Sequence, residues 1–241
     1  MSEATARLLA STCRSLHSRG WVANHDGNVS CRLGDGRFLA SPTAVSKGAV
    51  ESDMLVVLDG EGKVVAGSRK GFSEFALHLA AYRARPDVAW VVHAHPPHAT
   101  GWAVTGQSFF DPPFLKEPVV SLGARVPVVA DGELGAALGE VDAVLLRNHG
   151  VLTVGPDAET ALLRMELVEH LAHIALVARQ LGGAQPLAHH EIDAALAARA
   201  KAGLGPRPGG DPPAPAAAGH AADAGRPDVA SLVRDAMRRL G

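Results

Sequence analysis

With 241 residues, 47% of them hydrophobic, the chain can bury a substantial core, and one domain with an appendage is expected. A net charge of −2 with interspersed signs and only 4% aromatic residues supply neither the basic stripe nor the stacking surface that nucleic acid or an anionic membrane demands. Cys13 and Cys31 form no disulfide framework, and neither a secretory leader nor a run of ~20 apolar residues occurs, so a cytoplasmic protein without membrane or nucleic-acid partners is expected.

Residues 3–19 carry Ala6, Leu9, Cys13 and Leu16 at helical spacing and stop at Gly20, which predicts a helix. Asn28-Val29-Ser30-Cys31-Arg32-Leu33 and Arg37-Phe38-Leu39-Ala40 read as a hairpin around Gly34-Asp35-Gly36, and residues 54–58 and 63–66 as a second. From Ser73, a suitable N-cap, to Arg85 the pattern is helical with Phe75, Leu79 and Tyr82 inward, and Pro86 ends it. A strand from Val88 to His95 follows, then a short helix from Pro97 to Thr105. Val119-Val120 and residues 126–129 read as short strands, 132–138 as a short helix, Ala143–Leu146 as a buried strand and 151–154 as another. The longest helix spans Asp157 to Leu181, and a further one His190 to Ala202. These elements place a domain over 1–202. The Pro/Gly/Ala-rich stretch 203–227 reads as a linker, and 228–241 as a short helical tail.

The chemistry concentrates in Val91-Val92-His93-Ala94-His95. Two histidines at i and i+2 on a strand point to one side, which is metal-ligand geometry. His149, in the Asn148-His149-Gly150 turn after a buried strand, and Glu74, at a helix start, complete a shell of three imidazoles and one carboxylate that suits zinc, with manganese and iron as alternatives. Glu74 is then also free to act as a base. His98, behind Pro96-Pro97, reads as facing solvent or the loop, with a fourth imidazole ligand as the alternative; His78, four residues after Glu74, reads as structural, with a role supporting or rivalling the ligands as the alternative; and Glu166/His170 and Glu169/His173 read as a solvated or interface face. Asn28, Thr43 and Ser73 sit in turns with exposed backbone N–H groups, where caps and anion contacts look alike. No phosphate loop, dinucleotide fingerprint or serine nucleophile elbow occurs.

Taken together, Gly27-Asn28-Val29-Ser30, Ser41-Pro42-Thr43, Ser73-Glu74 with His78-Leu79-Ala80-Ala81-Tyr82, His93-Ala94-His95 and Asn148-His149-Gly150 resemble the class II aldolase/adducin family over residues 5 to 182. The resemblance implies an α/β fold of three α/β/α layers around a mostly antiparallel sheet, and a homotetramer with active sites at subunit interfaces. It also implies a divalent metal, usually zinc, on His93, His95, His149 and Glu74, with Glu74 as acid/base and Asn28, Thr43 and Ser73 binding substrate phosphate. The chain departs from the family's sugar-phosphate aldolases in having Phe72 before Ser73 in place of a second serine, and Ala44 after Thr43 where glycine is frequent. Tyr82 is its only tyrosine, and Phe114 stands near the position of the aldolase tyrosine. The expected function is a metal-dependent lyase, an aldolase that cleaves or forms a carbon–carbon bond next to a carbonyl in a small-molecule substrate, a sugar phosphate or related hydroxy-carbonyl compound, through a metal-stabilised enediolate. A decarboxylase of a hydroxy-aromatic or oxo acid in the same site, and a non-catalytic adducin-like interaction module, are the alternatives.

Overall fold

A computed structural model describes residues 2–207 and 229–238. Ser2 caps α1 (Glu3–Ser18) by accepting from the Thr5 amide, and the expected stripe of Ala6, Leu9, Cys13 and Leu16 is buried. The strands are β1 (Asn28–Arg32), β2 (Phe38–Ala40), β3 (Val56–Leu58), β4 (Val64–Ala66), β5 (Trp90–Ala94), β6 (Val128–Val129), β7 (Ala143–Leu146) and β8 (Gly150–Gly155). They form one sheet in the order β4-β3-β2-β1-β5-β8-β7-β6, antiparallel throughout except for the β6/β7 pair.

Successive strand residues divide between two cores, as the pleat requires. Val29, Cys31, Trp90, Val92, Leu145 and Val151 join α1, α3 (Pro97–Thr105), α4 (Lys116–Leu122) and α6 (Ala158–Gln180) on one face. Phe38, Val56, Val91, Val144, Leu146 and Leu152 join α2 (Phe75–Ala84) and α5 (Leu134–Leu138) on the other. The sheet therefore lies between two helical layers. A fully buried leucine is worth about 1.5–3 kcal/mol, and Leu9, Leu16, Leu39, Leu58, Leu145 and Leu146 all reach that state. α7 (His189–Lys201) packs on α4, and α8 (Val229–Arg238) lies against α4 and α7 with Val233 buried. No helix of the described residues is long and apolar enough to cross a membrane.

Three local expectations are corrected. Val119-Val120 lies within α4: the pair has no strand partner and instead buries its side chains in the core shared with α6 and α7. Ser73 does not cap α2, which begins at Phe75 with Glu74 in the N-cap position and no side-chain cap bond. The strand expected to reach His95 stops at Ala94, because the His95 amide leaves the ladder and donates to the Trp21 carbonyl, 2.9 Å away. Most of the expected linker, 208–227, lies outside the described residues, as do residues 228 and 239–241 of the tail.

α7 is tied to the sheet by a buried charge cluster. Asp142, immediately before β7, accepts from Arg85 and Arg164 at 2.7 Å each and from Arg199 of α7. Burial alone would raise the Asp142 pKa, but Arg164, Arg199 and Arg85 together outweigh it and hold the carboxyl below its ordinary value.

Candidate metal centre

Asn28 and His93 are direct partners across the β1/β5 pair, and the strand alternation aims both at the face covered by α2. β7 and β8 form a tight hairpin in which Leu146 faces Gly150, so His149 stands at its tip, preceded by Asn148 in the left-handed region at φ 55°. Gly150 is required there. A Cβ would overlap the His95 ring and lie 2.6 Å from the Ala94 carbonyl oxygen.

His93, His95 and His149 bring one nitrogen each within 4.8 Å of one another. Glu74, at the start of α2, places Oε1 2.8 Å from His149 Nε2 and Oε2 3.7 Å from His93 Nε2. The four residues that sequence spacing brought under suspicion thus meet in one place. Asn28 Nδ2 donates to Glu74 Oε2 at 2.7 Å. The hydrogen bond from His149 is the main reason that the Glu74 pKa falls to about 2, and Glu74 in turn raises that of His149.

The donor set fits a cation. His93 Nδ1 donates to the Val151 carbonyl at 2.9 Å, leaving the Nε2 lone pair free, and burial pushes the ring's pKa down to about 3, so that it stays neutral. His95 Nδ1 lies 3.4 Å from Asp26, which favours the same tautomer. Two Nε2 lone pairs then face each other at 3.2 Å, an arrangement that repels until a positive centre sits between them.

A pocket of about 170 Å³ opens beside this cluster, lined by Asp26, Asn28, Thr43, Lys47, Phe72, Ser73, Glu74 and His95 among others. Thr43 is held by its amide on the Lys70 carbonyl, and Ala44 takes φ 57°, a left-handed conformation that favours glycine. Phe72 packs its ring against Phe75 and His78 while forming part of the wall. Phe114, by contrast, packs edge-on against Phe110 and does not line this pocket.

Lys47 and Asp26 escaped the sequence reading, since a lone lysine in a polar stretch and an aspartate in a turn carry no spacing signal. Lys47 is 1% exposed, and its ammonium donates to the carbonyls of His25 at 3.0 Å and Val45 at 3.2 Å. Desolvation lowers its pKa against the pull of more distant groups, Asp26 and Glu74 among them. The other histidines have separate employment. Glu169 accepts from the His98 and Ala99 amides and from His98 Nδ1, capping α3 from the side, while His173 stacks on His98 at 4.1 Å. Glu166 pairs with Arg19 at 2.9 Å.

Residues 7–176 match the sequence profile of the Class II Aldolase and Adducin N-terminal domain. The chain is 32% identical over 184 residues to a 3-oxo-tetronate 4-phosphate decarboxylase of Haemophilus influenzae, covering 71% of this chain and 86% of that one. It is 31% identical over 181 residues to an L-fuculose phosphate aldolase of Escherichia coli, covering 71% and 82%. Among solved structures, the l-fuculose-1-phosphate aldolase of Thermus thermophilus superposes with a TM-score of 0.62 at 28% identity, covering 75% of this chain and 97% of that one. The profile match over most of the domain and the shared fold agree with the motif order: the chain belongs to the class II aldolase and adducin family.

Proposed function

We propose that the chain is a metal-dependent carbon–carbon lyase, an aldolase that cleaves or forms the bond next to a carbonyl in a sugar phosphate or related hydroxy-carbonyl compound. The observation that carries this reading is the convergence of Glu74 with His93, His95 and His149 beside an open pocket that Glu74 and His95 also line. The three histidines, with Glu74 as a further ligand, would hold a divalent ion, zinc by preference of an imidazole-rich set. When bound, the ion supplies Lewis-acid stabilisation of the charge that develops on the substrate oxygens.

The chain's own residues do the rest. When the bond next to the carbonyl breaks, its electron pair stays on the carbon beside the carbonyl while the hydroxyl on the departing carbon gives up its proton and becomes an aldehyde. The Glu74 carboxylate would take up that proton and pass it to the carbon that kept the electron pair, the reverse direction running the same transfers backwards. Asn28 holds one Glu74 oxygen by its amide, leaving the other facing the histidines. Asn28, Thr43 and Ser73 line the pocket with neutral hydrogen-bonding groups, and Lys47 adds a positive charge beneath them, a combination suited to an anionic substrate group. Lys47→Met keeps the unbranched stem of the side chain, one atom shorter, and removes the charge. KM for a phosphate-bearing substrate is expected to rise about 10–100-fold with kcat little changed. Steady-state kinetics decide, and an unchanged KM would remove Lys47 from the site.

A decarboxylase in the same site is the second reading, favoured by the Haemophilus influenzae relative and by the Phe72 ring in the pocket wall. The test is turnover of the metal-loaded protein on two panels: ketose 1-phosphates scored for released lactaldehyde or glycolaldehyde, and hydroxy-aromatic or phosphorylated oxo acids scored for carbon dioxide. Aldehyde release is the expected result, and carbon dioxide alone would assign the second reading. A protein that binds no metal would instead be the non-catalytic module. On the motif resemblance we further propose a homotetramer with active sites between subunits and a cytoplasmic role in carbohydrate metabolism.

A further inference from the structure

Five side chains form one row of hydrogen bonds running from the core to the metal centre. Tyr82 Oη lies 2.9 Å from Ser30 Oγ, Ser30 Oγ 2.7 Å from His78 Nδ1, His78 Nε2 2.6 Å from Asn28 Oδ1, and Asn28 Nδ2 2.7 Å from Glu74 Oε2. Two periodicities build it. Asn28 and Ser30 are two apart on β1 and share a face, while His78 and Tyr82 are four apart on α2 and lie over them. Ser30 and His78 are fully buried, with Tyr82 and Asn28 nearly so.

The direction of every bond in the row is forced. An ionised carboxylate only accepts, so Asn28 presents its NH2 to Glu74 and its carbonyl to His78. The nitrogen of His78 facing that carbonyl must donate, which puts the ring proton on Nε2. A ring buried this completely, with no carboxylate in contact, is neutral, so Nδ1 is an acceptor and takes the single proton of Ser30. Ser30 can then only accept from Tyr82. The rival acceptor for Tyr82, the Ala89 carbonyl, stands farther off at 3.5 Å.

The geometry points to a one-way donor relay, Tyr82 to Ser30 to His78 to Asn28, that locks the Asn28 amide in the only orientation able to hold Glu74, making Ser30 and His78 positioning residues for the reaction. Without the His78 donor the carboxylate alone orients the amide, and the buried Asn28 oxygen is left without a partner, so the amide loses one of its two anchors and its hold on Glu74 loosens. Both ring nitrogens of His78 are committed within the row, so His78 serves the metal centre without being a ligand.

The functional consequence rests on the reading of Glu74 as proton carrier given above, whereas the proton positions do not. Neutron diffraction from the deuterated, zinc-loaded full chain should place a deuteron on His78 Nε2 and none on Nδ1, with the Ser30 deuteron aimed at His78. In kinetics, His78→Leu should lower kcat about 10–100-fold with KM near wild type, and His78→Gln, whose amide can reach the Asn28 carbonyl, should recover most of the loss. A deuteron on Nδ1, or wild-type kcat in folded His78→Leu, would overturn the relay. Should His78→Leu fail to fold, the wild-type proton map still decides. The expected proton map in a protein without carbon–carbon lyase activity would uphold the relay and sink the proposed function.

Discussion

Replacing Glu74 with glutamine is expected to lower kcat by about 10²–10⁴-fold, the range associated with a positioned acid/base. The substitution preserves shape and leaves the Asn28 amide an oxygen to bond, but the amide cannot carry the proton that the reaction moves. Glu74 is held ionised chiefly by its hydrogen bond from His149, and desolvation opposes this only in part. A third of its side chain is exposed, so its loss should leave the fold and melting temperature close to wild type. Steady-state rates together with circular dichroism make the check. Full activity in Glu74→Gln would remove the carboxylate from the chemistry, whatever else it binds.

The second large effect lies outside the site. Asp142→Ala would leave Arg164 and Arg199 buried without a carboxylate and Arg85 with Asp87 alone. Breaking a buried ion pair from one side costs about 3–5 kcal/mol, which for a domain of this size lowers Tm by about 10 °C. Urea unfolding at neutral pH gives the number, and a loss below about 1 kcal/mol would contradict the role given to the cluster. The linkage has a definite sign. The folded pKa of Asp142 lies below its ordinary value, so its contribution is complete above the unfolded carboxylate pKa and is lost as pH falls through the folded one. Asp142→Ala should accordingly flatten the acid limb of the stability curve.

The parts of this site legible in the sequence are those that local periodicity writes. His93 and His95 share a strand face whatever the rest of the fold does, and a fully apolar run ending in Asn-His-Gly marks a buried strand delivering a side chain at its tip. Glu74 was legible as a residue at a helix start, although the helix begins one residue later than a Ser73 cap implied. Val119-Val120 misled because a two-residue apolar run has no periodicity of its own, and docking against α7 decided it. Lys47 and Asp142 were invisible for a different reason: their significance comes from burial and from partners far away in the chain. His78 lies between these cases. Its spacing from Glu74 was plain, but its partners Ser30 and Asn28 come from a strand about fifty residues earlier, and only the β1/α2 contact reveals them.

The most direct test of the central claim is a titration of metal-free protein with zinc, following ion binding by calorimetry and carbon–carbon bond cleavage in the same samples. One ion per chain should bind, with activity rising in proportion to occupancy and both lost in His93→Ala. Turnover at full rate before any ion is added, or stoichiometric binding that survives His93→Ala, would contradict it.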